Sequence, residues 1–528
     1  QCEFCKSNCS KWSIFRLRRA SDVLKLVKLN YFTIMRHGFA QQLAFNITPI
    51  AEVAIPKEKR DHMANLLGAL QHLYCNEKWS KQTEAIIHKT VNTGKKATGR
   101  TGLNLWEIFV LAQIRLCLNT SYDQLLNLAN YHKLLRGVLG VEPNDYTTGH
   151  QYSRQNIYDN VTLLDDHALK EINALIVEMG HDVFKKKETT ALRLKTDSFV
   201  VETDTYFPTD YRLLFDSGRK TLELIGKLHK KHSFKGWRQW KDIRKKLKGL
   251  YREFGKVTSG GGENKHEREQ LACKRYLLAG KFLSKKVDDF LTVQSPELLS
   301  DRLSLITIME IEWYKTMLDK HIDLLERRII NRESIPHGEK IFSIFQPFTE
   351  FINKGKMNPS VEIGKKLFIT TDQYNLILDY QLGDKLNDQD AIIDILDRIY
   401  QKYSTIASLS TDKGFSTKAN KALIKIVHPD LELVMPKKGK RNQQEEKEER
   451  SKPFKKLKNA HNAIESNINE LEHRGLDRCP DRSVVNFIKY VSLSITAYNL
   501  HKIGRELISI QQGKDKKQKK LKLLRQAA

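Results

Sequence analysis

Nowhere in these 528 residues do apolar side chains run uninterrupted for the roughly 18 positions that a membrane-spanning helix needs, so no membrane partner is expected. Cysteine is scarce: Cys2, Cys5, Cys9, Cys75, Cys117, Cys273 and Cys479 make an odd total of seven. With no charged-then-apolar leader in view, that usage reads as a reduced, intracellular chain rather than a disulfide scaffold. Cys2, Cys5 and Cys9 form C-x2-C-x3-C, but no second pair of Cys or His follows at finger spacing. The cluster is half of a zinc site or, on the plainer reading, upstream sequence that never packs. The sequence opens on Gln and its first methionine is Met35, so residues 1–35 are expected to be an untranslated or disordered leader.

Acidic residues are outnumbered. Asp and Glu total 63 against 90 Lys and Arg, a formal net charge of +27 with a pI near 9.5. An excess of that size favours a polyanionic partner, and nucleic acid is the default. The expected location is therefore the cytoplasm, at the nucleoid. A hydrophobic content of 40% supplies packed cores and argues against wholesale disorder. The length implies about two to four domains.

Residues 36–190 read mainly as helices: HMANLLGALQHLYC, LNLWEIFVLAQIRLCLN and SYDQLLNLANYHKLLRGVLG all space apolar residues helically. VNTGKKATGRTG between the first two is a basic, Gly-containing loop. The region is a helical N-terminal domain, either DNA-binding or a scaffold. From 191 the pattern becomes period two: in ALRLKTD, Leu192 and Leu194 alternate with Arg193, Lys195 and Asp197, a strand that Asp197 ends. Residues 217–335 return to helical pattern, an all-helical insertion. Its segment KHSFKGWRQWKDIRKKLKGLYREFG is very basic and carries Trp237 and Trp240, placed either to stack on a DNA base or to pack within a helix pair. Strands resume at KIFSIF, then KKLFITTDQ and LILDYQL as a hairpin. DQDAIIDILDRIYQKY is an amphipathic helix, TIASLST a strand delivering Asp412, and LELVMPK a short strand. RNQQEEKEERSKPFKK reads as a charge-rich loop. The helix of Glu465 and a long helix over SVVNFIKYVSLSITAYNLHKIGREL follow, then a basic tail, 506–528. Residues 191–216 and 336–505 thus form one α/β domain.

Three acids stand out within it. Asp197 and Asp412 sit at strand ends, and Glu465 on a late helix. Carboxylates on adjacent strands and a facing helix are how a nuclease-type site holds two divalent metals roughly 3.5–4 Å apart. Clustered carboxylates repel without a cation, so metal would also steady that corner of the fold. Asp372, Glu202 and Asp204 compete, Asp372 more simply as a hairpin-turn acid. Asp412 is favoured because Lys413 and Gly414 follow it: the glycine lets backbone approach a phosphate and the lysine adds charge.

Five segments then carry a family resemblance: GRTGLNLWEIFVLAQIRLCLNTSYDQLLNLANYH, TDSFVVETDTYFPTDYRLLFDSGR, KIFSIFQPFTEFINKGK with VEIGKKLFITTDQYNLILDYQL, STDKGFS, and HNAIESNINELEHRGLDRCPDRS. Over residues 60–505 the chain resembles a bacterial insertion-sequence transposase of the DDE type, closest to the ISNCY group. The resemblance implies an α/β fold: an RNase H-like catalytic core, a mixed sheet flanked by helices, with a large all-helical insertion after the first strand and an N-terminal all-helical domain. It implies that Asp197, Asp412 and Glu465 are catalytic and bind two Mg2+ or Mn2+ ions. It implies cutting at terminal inverted repeats, joining of the 3′-OH ends to target DNA, and a homodimer or larger assembly on the DNA. Related transposases often carry Tyr-x2-Arg-x3-Glu-x6-Lys around the last acid. Here those positions are Lys458, His461, Glu465 and Glu472, so only the acid matches. Lys413, Lys437, Lys438, His461, Arg474, Arg478 and Arg482 are the candidate DNA contacts near the site, with plain surface charge as the alternative for the arginines. A catalytically silent DNA-binding derivative and a nuclease that cuts without joining are the competing functions.

Overall fold

Helical periodicity and one mixed sheet account for most of the computed structural model, which describes residues 36–41, 47–58, 60–92, 102–143, 150–298, 301–353 and 361–527. The Cys2, Cys5 and Cys9 cluster, the expected leader and most of the VNTGKKATGRTG loop lie outside those residues. Among the described residues seven α-helices come first: α1 (His62–Cys75), α2 (Glu77–Asn92), α3 (Leu105–Cys117), α4 (Tyr122–Tyr131), α5 (Lys133–Leu139), α6 (Arg154–Val161) and α7 (Asp166–Val183). Their starts are written in side chains. The Asp61 carboxylate accepts from the Met63 and Ala64 N–H groups, and Asn104 with Glu107 closes a capping box on α3. Every residue of α3 is buried, so it is a central rather than an amphipathic helix.

Next come β1 (Leu192–Thr203), four long helices α8 (Asp210–His232), α9 (Trp240–Ser259), α10 (Lys265–Asp289) and α11 (Arg302–Leu325), and a short β2 (Glu350–Asn353). β3 (Val361–Thr371), β4 (Ile377–Leu382), α12 (Asp388–Tyr400), β5 (Ile406–Thr411), α13 (Lys418–Val427) and β6 (Glu432–Val434) follow. The chain ends with α14 (Gln443–Arg450), α15 (Lys452–Leu471), β7 (Arg478–Cys479) and α16 (Val484–Ala527). Among the described residues, no helix is long and apolar enough to cross a membrane.

The chain forms two compact units, one of residues 1–201 with 366–528 and one of residues 202–365. The expected boundary near residue 190 is therefore not a break between units: α16 packs against α1, α3 and α7, and all belong to the first unit. Gly504 of α16 makes this close, because a Cβ there would lie 1.7 Å from the Asn65 carbonyl oxygen of α1. In the same unit β1 runs parallel to β5, β5 parallel to β6, and β3 antiparallel to β4, with β1 between β3 and β5. One sheet face buries Leu192, Leu194, Phe368, Leu378 and Leu409 against Ile392, Ile395, Leu396 and Ile399 of α12.

The second unit is the four helices α8–α11 around Leu214, Leu222, Ile225, Trp237, Phe254, Tyr276 and Leu318, together with β2, which pairs with the start of β3. Its helices begin at Asp210, before the expected 217, where the PTD sequence ends the extended chain.

Three local expectations are corrected. KIFSIF is irregular, and Ile344 within it packs on Leu213 and Met317 instead of joining a sheet. The charge-rich segment is not a loop: Asn442 and Glu445 form a capping box on α14, Ser451 caps α15, and Arg450 pairs with Glu446 one turn back. The basic tail continues α16, and Asp515 there pairs with Lys57 at 2.7 Å.

Candidate functional site

Asp197 does not end its strand; β1 continues through it to Thr203. Its surroundings follow from register. Lys195 pairs with Ser410 and Thr196 with Thr411, so one further step along the parallel ladder sets Asp197 beside Asp412. Side chains alternate on a strand, so Lys195, Asp197, Ser410 and Asp412 share the face opposite Leu194 and Leu409. α15 covers that face. His461 Nδ1 lies 3.3 Å from Ser410 Oγ, and Glu465 comes one turn later on the same side of the helix. The hairpin loop ties the corner together: Asn375 Oδ1 accepts from Lys195 Nζ at 2.8 Å and from Asn467 Nδ2 of α15 at 3.3 Å.

Electrostatics records the convergence. Burial, with the charges of Asp412, Asp388 and Glu465 adding to it, raises the Asp197 carboxyl from 3.8 to about 7, against the opposing hydrogen bond from the Ser198 N–H at 2.7 Å. Asp412 and Glu465 are exposed. His461 is pushed down by burial, while Asp412 and Glu465 pull it up. Among the described residues, no group of three or more His, Cys, Asp or Glu side chains is placed so that it could hold a metal ion.

The fourth acid, Asp388, was read from sequence only as part of a helix start. Its Oδ1 accepts from Ser198 Oγ at 2.8 Å and from Lys366 Nζ at 3.0 Å. It also explains Gly414: a Cβ at 414 would lie 2.6 Å from Asp388 Oδ2. The local signal was the glycine after Asp412, but its partner lies on α12 and no spacing rule connects the two.

Other expected site residues divide. Lys413, Lys438 and Arg482 are exposed, as is Arg478 in β7, which pairs with β1. Lys437 is held by Glu445, with Nζ 2.6 Å from the carboxylate. Arg474 turns inward: it is 6% exposed, donates to the Cys117 carbonyl at 2.7 Å and pairs with Glu470 at 2.9 Å. Its expected role as a phosphate contact on the open face beside Glu465 is therefore corrected, because the bend at Gly475 (φ 104°) carries it under the helix. Trp237 is also corrected as a stacking residue. Its ring is 1% exposed and meets Phe290 edge-on in the core of the helical unit. Trp240 is partly buried over Gly226, where a Cβ would approach its ring to 2.4 Å. Asp372 is a turn acid, fully buried, accepting from the Tyr374 and Leu376 N–H groups and facing His181 Nε2 at 2.8 Å. Glu202 and Asp204 fall in the helical unit's part of the chain.

No family model matches this chain, and neither the curated proteins nor the solved structures compared with it yield a match.

Proposed function

We propose that this chain is a DDE-type DNA transposase with an RNase H-like core interrupted by the helical unit. It cuts at the terminal inverted repeats of an insertion sequence and joins the freed 3′-OH ends to target DNA, as a dimer or larger assembly at the nucleoid. The carrying observation is that the β1/β5 register sets Asp197 beside Asp412 under the helix of Glu465, where burial first and then the charges of Asp412, Asp388 and Glu465 raise Asp197 to about 7. The strand neighbours support it: β1 and β5 lie side by side at the sheet's centre, and α15 spans their ends.

The donor set fits hard divalent cations. It is all carboxylate oxygen, and Asp412 and Glu465 are exposed, which suits ions that share their coordination with water and phosphate. Asp197, Asp412 and Glu465 would hold two Mg2+ or Mn2+ ions, which when bound activate the attacking oxygen and stabilise the leaving one. Asp197 must shed its proton to serve as a ligand, and its neighbours set the pH at which it does. Asp388, steadied by Ser198 and Lys366, fixes the floor beneath Gly414. Lys413, Lys438 and Arg482 offer charge for the DNA backbone around the opening.

The test uses DNA carrying the element's own ends, taken from the sequence that flanks this reading frame. Cleavage and joining should need Mg2+ or Mn2+ and vanish in D197A, D412A and E465A while folding is retained. Cleavage that persists in all three variants rules out the assignment. DNA binding without catalysis is the second reading, favoured by one observation: His461 stands where a basic arginine is expected and is bonded to Ser410. Retention of the ends in gel shifts with no nicking at any metal concentration would select it.

A further inference from the structure

Glu465 has a second neighbourhood, further along α15. A cavity of about 590 Å3 opens there, lined from α15 by Ser466, Asn469 and Glu470, the first of them directly after Glu465. Three arginines from distant parts of the chain line it: Arg60 just before α1, Arg474 after α15 and Arg505 on α16. The only lining acid is Glu470, already neutralised by Arg474 at 2.9 Å and Lys502 at 2.6 Å. Those partners and His501 hold its carboxyl well below the usual range despite burial, which acts the other way. His501 is itself pushed down to about 4 by burial, so it is neutral at pH 7 and the cavity's positive charge comes from the arginines.

Arg474 is the unusual member. Its Nη atoms bond to the Cys117 carbonyl and Glu470, yet its buried Nε–H has no hydrogen-bond partner. Arg60 and Arg505 are exposed at the rim and make no ion pair among the described residues. The volume exceeds what a single small anion fills, and the cavity begins beside the acids rather than across the unit.

We infer that this cavity docks backbone phosphates of the DNA strand leading away from the acids, an inference that rests on the transposase reading. Arg60 and Arg505 grip the phosphates from the rim. The pocket thereby sets the register of the strand relative to Glu465.

The experiment measures binding, not cleavage, so it stands apart from the catalytic test. A fluorescent 30-base-pair duplex is titrated with wild type and with R60Q/R505Q by anisotropy, in EDTA, from 50 to 300 mM KCl. Each lost phosphate contact lowers the slope of log K against log salt by about 0.9. The double variant should therefore lose close to two units of slope and bind roughly tenfold more weakly at low salt, with an unchanged melting temperature. Wild type that binds with a slope the variant leaves unaltered overturns the pocket and leaves the transposase reading standing. Wild type that binds no duplex overturns both. Inorganic phosphate serves as the second probe: saturable thermal stabilisation of wild type but not of the variant, with equal DNA slopes, would mean a small-anion site and overturn the inference.

Discussion

Replacing Asp197 with Asn should make the metal-free protein more stable, and only above a definite pH. Asn keeps the size of the side chain and an oxygen to accept from the Ser198 N–H, but it does not ionise. In the folded protein burial, then Asp412, Asp388 and Glu465, lift the Asp197 carboxyl from 3.8 to about 7. Below pH 3.8 the group is neutral in both folded and unfolded states and its raised folded pKa contributes its full relative stabilisation. Between 3.8 and about 7 the unfolded chain has ionised while the folded chain has not. Stability therefore falls as pH rises, by about 1.4 kcal/mol per pH unit, and the loss is complete above about 7. The full span corresponds to about 4 kcal/mol; water reaching the partly exposed site trims this to about 2–4 kcal/mol. In a unit of more than 250 residues each kcal/mol moves the melting temperature by about 1–2 °C, so D197N should melt about 3–6 °C above wild type at pH 8. Melting curves in EDTA from pH 4 to 9 should show the two proteins converging near pH 4 and separating up to about pH 7. Adding Mn2+ at 100 times its dissociation constant should return about 2.7 kcal/mol to wild type and nothing to D197N. An offset that is the same at pH 4.5 and pH 8, or a less stable D197N at pH 8, refutes the argument that burial, with three acids adding to it, disfavours the charged Asp197 carboxylate.

Gly414→Ala should cost about 1 kcal/mol by pushing Asp388 off Ser198 and Lys366, and D388A should relieve most of that loss in the double variant, as read by urea unfolding. Gly504→Ala puts a methyl onto the Asn65 backbone, which has no side-chain freedom to yield, so a loss of about 3 kcal/mol or more and poor soluble expression are expected. Trp237→Ala should remove about 3–5 kcal/mol from the helical unit by opening a core cavity, detected as an early melting step. DNA affinity per folded molecule should stay the same; a selective loss of affinity with unchanged melting would restore the stacking role.

What was legible in advance was whatever depends on near neighbours along the chain. The apolar spacing of Ile392, Ile395, Leu396 and Ile399 gives α12, the TIASLST run gives β5 with Asp412 at its end, and KKLFITTDQ with LILDYQL gives a hairpin whose turn acid is Asp372. The charge-rich run before α15 misled because composition was weighed above the capping residues Asn442 and Ser451. Trp237 and Arg474 misled for a different reason: a basic or aromatic residue carries no local mark of whether it faces water or a neighbouring helix.

The sequence by itself determined most of the helices and strand segments and the excess of positive charge. Tertiary structure alone decided that Asp197 and Asp412 share one sheet face beneath the helix of Glu465, that Asp388 joins them, and that Arg60, Arg474 and Arg505 gather around one cavity. The physical reason is range. Helix and strand periodicity is set by residues within one or two turns, whereas strand register and helix crossing depend on how surfaces hundreds of residues apart fit together. That fit is where carboxylates meet, and where their charge acquires a consequence.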